Sequence, residues 1–174
     1  PASVLIDFAK TDSVLFCDNQ EIEYAEINLN GYTEIYQVDS VKYKSWLRKK
    51  YYYQTKSAPS KVSLDTAVST IKAIASFEGD KRDVYLRVAQ EDNSMYIDLC
   101  NDSWQVVKID ALGWKILDKS PVAFTRTSNM KSLPMPIEGG DISLLLKHIN
   151  IYESDLPLAV GWLLMSLQAG PGAY

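Results

Sequence analysis

A chain of 174 residues, 47% of them hydrophobic and with a formal net charge of −4, can close one sizeable core and is neither disordered nor basic all over. Any contact with nucleic acid must therefore come from a local patch. Cys17 and Cys100 lie far apart, with no CxxC or Cys/His spacing. That argues against a disulfide scaffold or a structural zinc site and suits reduced thiols in a cytoplasmic protein. The longest apolar stretch, Leu156 to Leu167, falls short of the roughly 20 residues that a bilayer span needs, so no membrane partner is expected.

In chain order, Ser3 to Ala9 carries Val4, Leu5 and Phe8 at helical spacing, and Thr11 to Gln20 reads as turn-forming. Glu21 to Val38 reads as two strands joined at Asn30-Gly31, a dipeptide that accepts the positive φ angles of a tight hairpin turn. Ser40 is a candidate N-cap for a helix to about Gln54, with Tyr43, Leu47 and Tyr51 on its apolar face. A second helix begins between Pro59 and Ser63. It places Leu64, Ala67, Val68, Ile71, Ile74 and Ala75 on one stripe and stops at Gly79.

Alternation then predicts a hairpin, Asp83 to Gln90 with Met95 to Cys100, turning at Glu91 to Ser94 and grouping Val84, Leu86 and Val88 with Ile97 and Leu99 on the inner face. In that register Arg87 opposes Asp98 on the outer face. Trp104 to Ile109 and Trp114 to Leu117 form a further pair, with Ile109 opposite Trp114 and Val107 opposite Ile116, packed inward. Pro121 to Gly140 reads as an irregular connection, followed by helices over Ile142 to Ile149 and Leu156 to Gln168, the second capped by Asp155. The expected class is α+β: antiparallel hairpins in a meander packed with amphipathic helices, then a C-terminal helical segment. The expected division is an accessory domain over residues 1–140 and a helical segment over 141–174 that leads toward a further domain of a longer protein.

Phosphate-loop, dinucleotide-binding, nucleophile-elbow and HExxH signatures are absent from the sequence, and His148 is its only histidine. No cofactor is expected. Asp98, Asp102 and Asp110 could in principle hold a divalent metal, but turn hydrogen bonding is the simpler role for the latter two. One stretch is unusual. From Val41 to Lys61 there are seven cations and no acid, interleaved with aromatics. Lys42, Tyr43, Lys44, Trp46, Arg48, Lys49, Lys50, Tyr52, Tyr53 and Lys56 are the candidate nucleic-acid-binding residues, because cations neutralise phosphates and rings stack on bases. Lys42, Lys49 and Lys56 fall seven apart and share one side if the helix continues through Lys56. The bland alternative is a helix with its aromatics in the core and its lysines in solvent.

Tyr43-Lys44-Ser45-Trp46-Leu47, the Val84-Tyr85-Leu86-Arg87-Val88 to Tyr96-Ile97-Asp98-Leu99 hairpin, the Trp104 to Trp114 unit, Leu133-Pro134-Met135-Pro136, and Trp162-Leu163-Leu164 followed by Gly170-Pro171 together carry a resemblance. From about Leu15 to Tyr174 the chain resembles the region upstream of the P-loop ATPase domain in large ATP-binding proteins of prophages and other bacterial mobile elements. The resemblance transfers no active-site residue. It implies a non-catalytic accessory domain beside an ATPase similar to replicative helicases or primase-helicases, contacting DNA or a protein partner, with any ATP hydrolysis beyond residue 174. The competing expectations are a catalytic fragment of a metal-dependent nuclease or primase-like enzyme built around Asp98, and a purely structural docking domain.

Overall fold

Three helices and a mixed sheet build the first half of the molecule, which is seen in a computed structural model describing residues 1–29 and 31–168. Helix α1 (Ala2–Asp12) buries Leu5 and Ala9, one turn apart. Strand β1 (Ser13–Cys17) leaves it directly and pairs antiparallel with β2 (Glu23–Leu29), which pairs in turn with β3 (Tyr32–Gln37). Helix α2 (Val41–Thr55) follows, its N-terminus capped where the Tyr43 amide donates to Ser40 Oγ at 3.2 Å. Helix α3 (Lys61–Phe77) is capped in the same way by Ser60 and buries Leu64, Ala67, Val68, Ile71 and Ala75, with Ile74 half-buried. The chain then returns as β4 (Asp80–Lys81), parallel to β1, giving the sheet order β3-β2-β1-β4. The helices cover one face of this sheet around Ala25, Ile27 and Leu47, where each fully buried aliphatic side chain stabilises by about 1.5–3 kcal/mol.

The second half is a meander of β6 (Val88–Glu91), β7 (Ser94–Asp98), β8 (Val106–Asp110) and β9 (Gly113–Leu117), each antiparallel to the next. A two-stranded parallel ladder, β5 (Val84–Tyr85) with β10 (Ala123–Phe124), links the halves. Thr125 forms a bridge with Ile35 of β3. Val84 and Ala123 pack with Ile22 against Phe16, Tyr24 and Ile35, on the sheet face opposite the helices. A 3-10 turn over Ile142–Lys147 and helix α4 (Leu156–Ser166) complete the described chain, and no buried residue follows Phe124 among the described residues.

The α+β class, the Ser40-capped helix α2, helix α3 and the four-stranded meander agree with the sequence reading, as do the pairings of Ile109 with Trp114 and Val107 with Ile116. Other details differ. The stretch Thr11 to Gln20, expected as turns, contains β1, which sits inside the sheet between β2 and β4. Polar residues flank its short apolar run, so the strand is specified by its neighbours. The expected strand Asp83 to Gln90 breaks at Leu86, which is 55% exposed, because its two ends join different sheets. The meander also buries the other face: Ala89, Tyr96 and Val106 pack with Val122 and Phe124. Val122 and Phe124 arrive from the irregular connection and cover that side, leaving Trp114 41% exposed.

The Gln90 to Met95 pairing holds, but Glu91 also pairs with Ser94, so the turn is Asp92-Asn93 at φ 47° and 60°. The first expected helix after Gly140 is a 3-10 turn, and Asp155 makes no side-chain cap. Between β2 and β3 the register leaves a two-residue loop with Gly31 at φ 97°, whereas Asn30 lies outside the described residues, as does Gly170-Pro171.

Gly79 shows how closely α3 and β1 meet. A Cβ there would lie 2.5 Å from the Ala75 carbonyl oxygen, 2.7 Å from that of Leu15 and 2.8 Å from the Phe16 Cα, all backbone atoms. Gly79→Ala is expected to lower the unfolding free energy by about 1–3 kcal/mol or more in a denaturant titration, since the backbone must shift. Gly161→Ala in α4, where nothing lies within 4 Å of the added carbon, is the control and should not destabilise. A Gly79→Ala protein as stable as the native one would contradict this packing.

Candidate nucleic-acid interface

Helix α2 is divided lengthwise by burial. Tyr43 and Leu47 are fully buried and Trp46 and Tyr51 nearly so, with the Tyr43 and Trp46 rings stacked at 5.4 Å. Among the ten candidate contact residues, Tyr43 and Trp46 are therefore core residues whose rings cannot meet a base. The reason is the helical period, which sets positions 43, 46, 47 and 51 on one stripe. Burial pushes the Tyr43 hydroxyl up to about 12, with Ser13 nearby opposing the rise. Ser13 Oγ itself donates to the Ala9 carbonyl, and the Tyr43 oxygen is left without a well-formed hydrogen bond.

The remaining eight candidates fall into two groups. Lys50 is engaged at the surface, its Nζ 3.1 Å from Asp12 and 5.6 Å from the Trp46 ring centroid. Lys42 turns toward β3, with its Nζ 5.7 Å from the Tyr36 ring centroid. Lys44, Arg48, Lys49 and Lys56 take part in none of the ion pairs found among the described residues. Lys44, Arg48 and Tyr52 form one row at four-residue spacing, and Lys49, Tyr53 and Lys56 form the row beside it.

Tyr52 and Tyr53 are 54% and 62% exposed, and their rings meet edge-on at 6.1 Å. The ammonium groups of Lys49 and Lys56 each lie 5.9 Å from the Tyr53 centroid. The helix stops at Thr55, where Lys56 takes a left-handed φ of 54° and its amide donates to the Tyr52 carbonyl at 2.8 Å. Lys49 and Lys56 thus converge on one ring while Lys42 points elsewhere.

A second polar cluster lies between the halves and was not legible in the sequence. Asp98, expected on the outer face opposite Arg87 or as a metal ligand, is 1% exposed and points inward. Arg126 grips it with a two-pronged ion pair: Nε donates to Oδ2 at 2.8 Å and Nη2 to Oδ1 at 2.6 Å. The third prong, Nη1, donates to the Asn101 carbonyl at 2.7 Å, and the guanidinium lies 3.7 Å over the Trp104 ring. Oδ1 also accepts from the Cys100 amide at 2.9 Å. Arg87 donates instead to the backbone carbonyls of Asp98 and Lys131. Asp110 pairs with Lys108 at 3.0 Å, and no cluster of three or more His, Cys, Asp or Glu suited to a metal is found among the described residues.

Arg126 lies 28 residues from Asp98, so no local pattern announces the pair. A cleft of about 240 Å³ opens beside it, lined by residues that include Glu26, Thr33, Arg82, Trp104, Asp118 and Lys119. Arg82 there faces Glu26 at 2.8 Å and lies over the Phe16 ring, so these two charges are matched to each other.

Asp98→Asn leaves the buried Arg126 without its counter-charge. It is expected to cost about 3–5 kcal/mol in denaturant unfolding, and a loss under about 1 kcal/mol would contradict the buried pair. Glu34 gives a pH-dependent test. Burial raises its carboxyl above the usual glutamate value, outweighing Lys42, Arg126 and the Trp104 side chain, which lower it. The folded state therefore holds this proton more tightly than the unfolded chain, and stability is lost as pH rises through the interval between the two values. Glu34→Gln should raise the melting temperature at neutral pH and give no gain in acid below the ordinary carboxylate range. An equal gain at both would contradict the burial effect.

No helix among the described residues is long and apolar enough to cross a membrane. Compared with known proteins, the chain matches no family model, no curated protein and no solved structure.

Proposed function

We propose that this chain is a non-catalytic module that contacts nucleic acid through the exposed side of α2. The observation that carries the reading is that Lys49 and Lys56 converge on the exposed Tyr53 ring beside Tyr52, with Lys44 and Arg48 on the neighbouring row of the helix and none of the four ion-paired among the described residues. In a chain of net charge −4, seven cations without an acid over Val41 to Lys61 make a local positive field that phosphates would enter. The resemblance to the region upstream of mobile-element and prophage ATPases supports a place beside such an ATPase, serving DNA replication in the cytoplasm. The metal-nuclease reading loses its main residue, because Asp98 is committed to Arg126 and the Cys100 amide.

A docking role draws on a different observation. Helix α4 buries nothing, with Leu158, Trp162, Leu164 and Met165 at 59% to 75% exposure. An apolar surface of that kind suits a protein partner, such as the proposed ATPase domain.

The test is a fluorescence anisotropy titration of a labelled forked DNA, which offers paired and unpaired segments together, at several salt concentrations. Lys44, Arg48, Lys49 and Lys56 replaced together by Gln should weaken binding and flatten the salt dependence by roughly 0.7 to 0.9 unit of slope for each phosphate that is no longer neutralised. Circular dichroism checks that the variant is folded. Equal affinity and equal slope would exclude this face, and no binding by the native chain at low salt would leave protein docking as the reading.

A further inference from the structure

We propose that the ligand of this face is a single strand, with unpaired bases stacking on Tyr52 and Tyr53 while Lys49 and Lys56 hold the flanking phosphates; this rests on the nucleic-acid reading above. Three observations favour it over a duplex. The two rings are more than half exposed and set edge-to-face, so each keeps aromatic surface open to a ligand. In a duplex the base faces are occupied by their own stack, and such rings would meet only groove edges and sugars; an unpaired base has a free face to give.

The cations are also centred on a ring. Lys49 and Lys56 both reach to 5.9 Å from the Tyr53 centroid, near the outer limit of a cation–π contact. A base that takes the ring face displaces ammonium groups that are already beside the phosphates attached to it. The same side chains thus serve the ring in the free protein and the backbone in the complex.

The third observation is the position of the cluster on its helix. A helix inserted in a major groove reads base edges with its N-terminal residues, where the helix dipole is positive. Here Lys49, Tyr52, Tyr53 and Lys56 lie in the last two turns and at the C-cap of α2, next to carbonyls of partial negative charge. Phosphates must be met at the tips of long side chains, away from the helix end. Helix α3 begins at Lys61, five residues beyond Lys56, with no acid in its first turn, which adds positive potential beyond the same loop.

The experiment measures binding of labelled oligo(dT), oligo(rU) and a duplex of equal length by the native chain, by Tyr52→Ala with Tyr53→Ala, and by Lys49→Gln with Lys56→Gln. The expected result is that at least one single strand binds about tenfold or more tightly than the duplex, and the tighter of the two assigns the sugar. The double tyrosine variant should lose between about fivefold and a hundredfold on that strand for each stacked base, keep its salt slope and leave duplex binding unchanged. The double lysine variant should lose about 0.7 unit of slope per cation on the same strand. Duplex binding as tight as either strand, or a tyrosine variant that binds the strand like the native chain, would overturn the stacking proposal and leave the nucleic-acid reading standing. Failure of the native chain to bind any of the three would overturn both.

Discussion

Helix α2 has to bury Tyr43, Trp46, Leu47 and Tyr51 against the sheet and its neighbouring helices, and that constraint decides what the helix can show to solvent. Three large rings and a leucine enter the core at helical spacing, so the helix cannot roll without exposing them. Ser40 fixes where it begins and the left-handed Lys56 where it ends. With the inner stripe occupied, the cations and the Tyr52–Tyr53 pair have only the outer side. The same aromatic richness thus divides into a structural half and an accessible half, and only the second can take part in recognition.

The meander half depends on Arg126. Its guanidinium meets Asp98 with two donors, the Asn101 carbonyl with a third and Trp104 with its face. The loop between β7 and β8 holds Cys100 and Trp104 at φ 52° and 55°, conformations that non-glycine residues adopt at a cost unless the surroundings enforce them. The Cys100 amide on Asp98 and the side-chain bonds between Asn101 and Gln105 supply that enforcement. The cluster fixes the position of Trp104 and, through the segment around Phe124 and Thr125, ties the meander to β3. Its charges are satisfied internally, which makes it a structural clasp and leaves the open cations of α2 as the better place for an external anion.

Where structure followed local chemistry, it could be read from the residues. Ser40 marked one helix start and the Pro59 to Ser63 stretch bracketed the next, the α3 stripe marked its buried side, and the Asp110 to Gly113 turn set the β8–β9 register. Features that depend on distant partners could not be read. The strand status of Ser13 to Cys17 comes from β2 and β4 on either side, and the facing of the meander comes from Val122 and Phe124. Asp98 looked like a surface acid because its partner is 28 residues away. At the candidate site the charge pattern was visible, but the burial of Tyr43 and Trp46, the pairing of Lys50 with Asp12 and the turning of Lys42 toward Tyr36 required the packed helix.

The most direct measurement is a nuclear magnetic resonance titration of the isotope-labelled chain with a short single-stranded oligonucleotide, following backbone amides and lysine side chains. The largest shift changes are expected on Arg48 to Lys61, with Tyr52 and Tyr53 ring protons moving upfield as bases stack, while the Asp98–Arg126 cluster and the meander stay in place. Changes centred on the cleft around Trp104 and Arg82, or on α4 with α2 unaffected, would contradict recognition through α2.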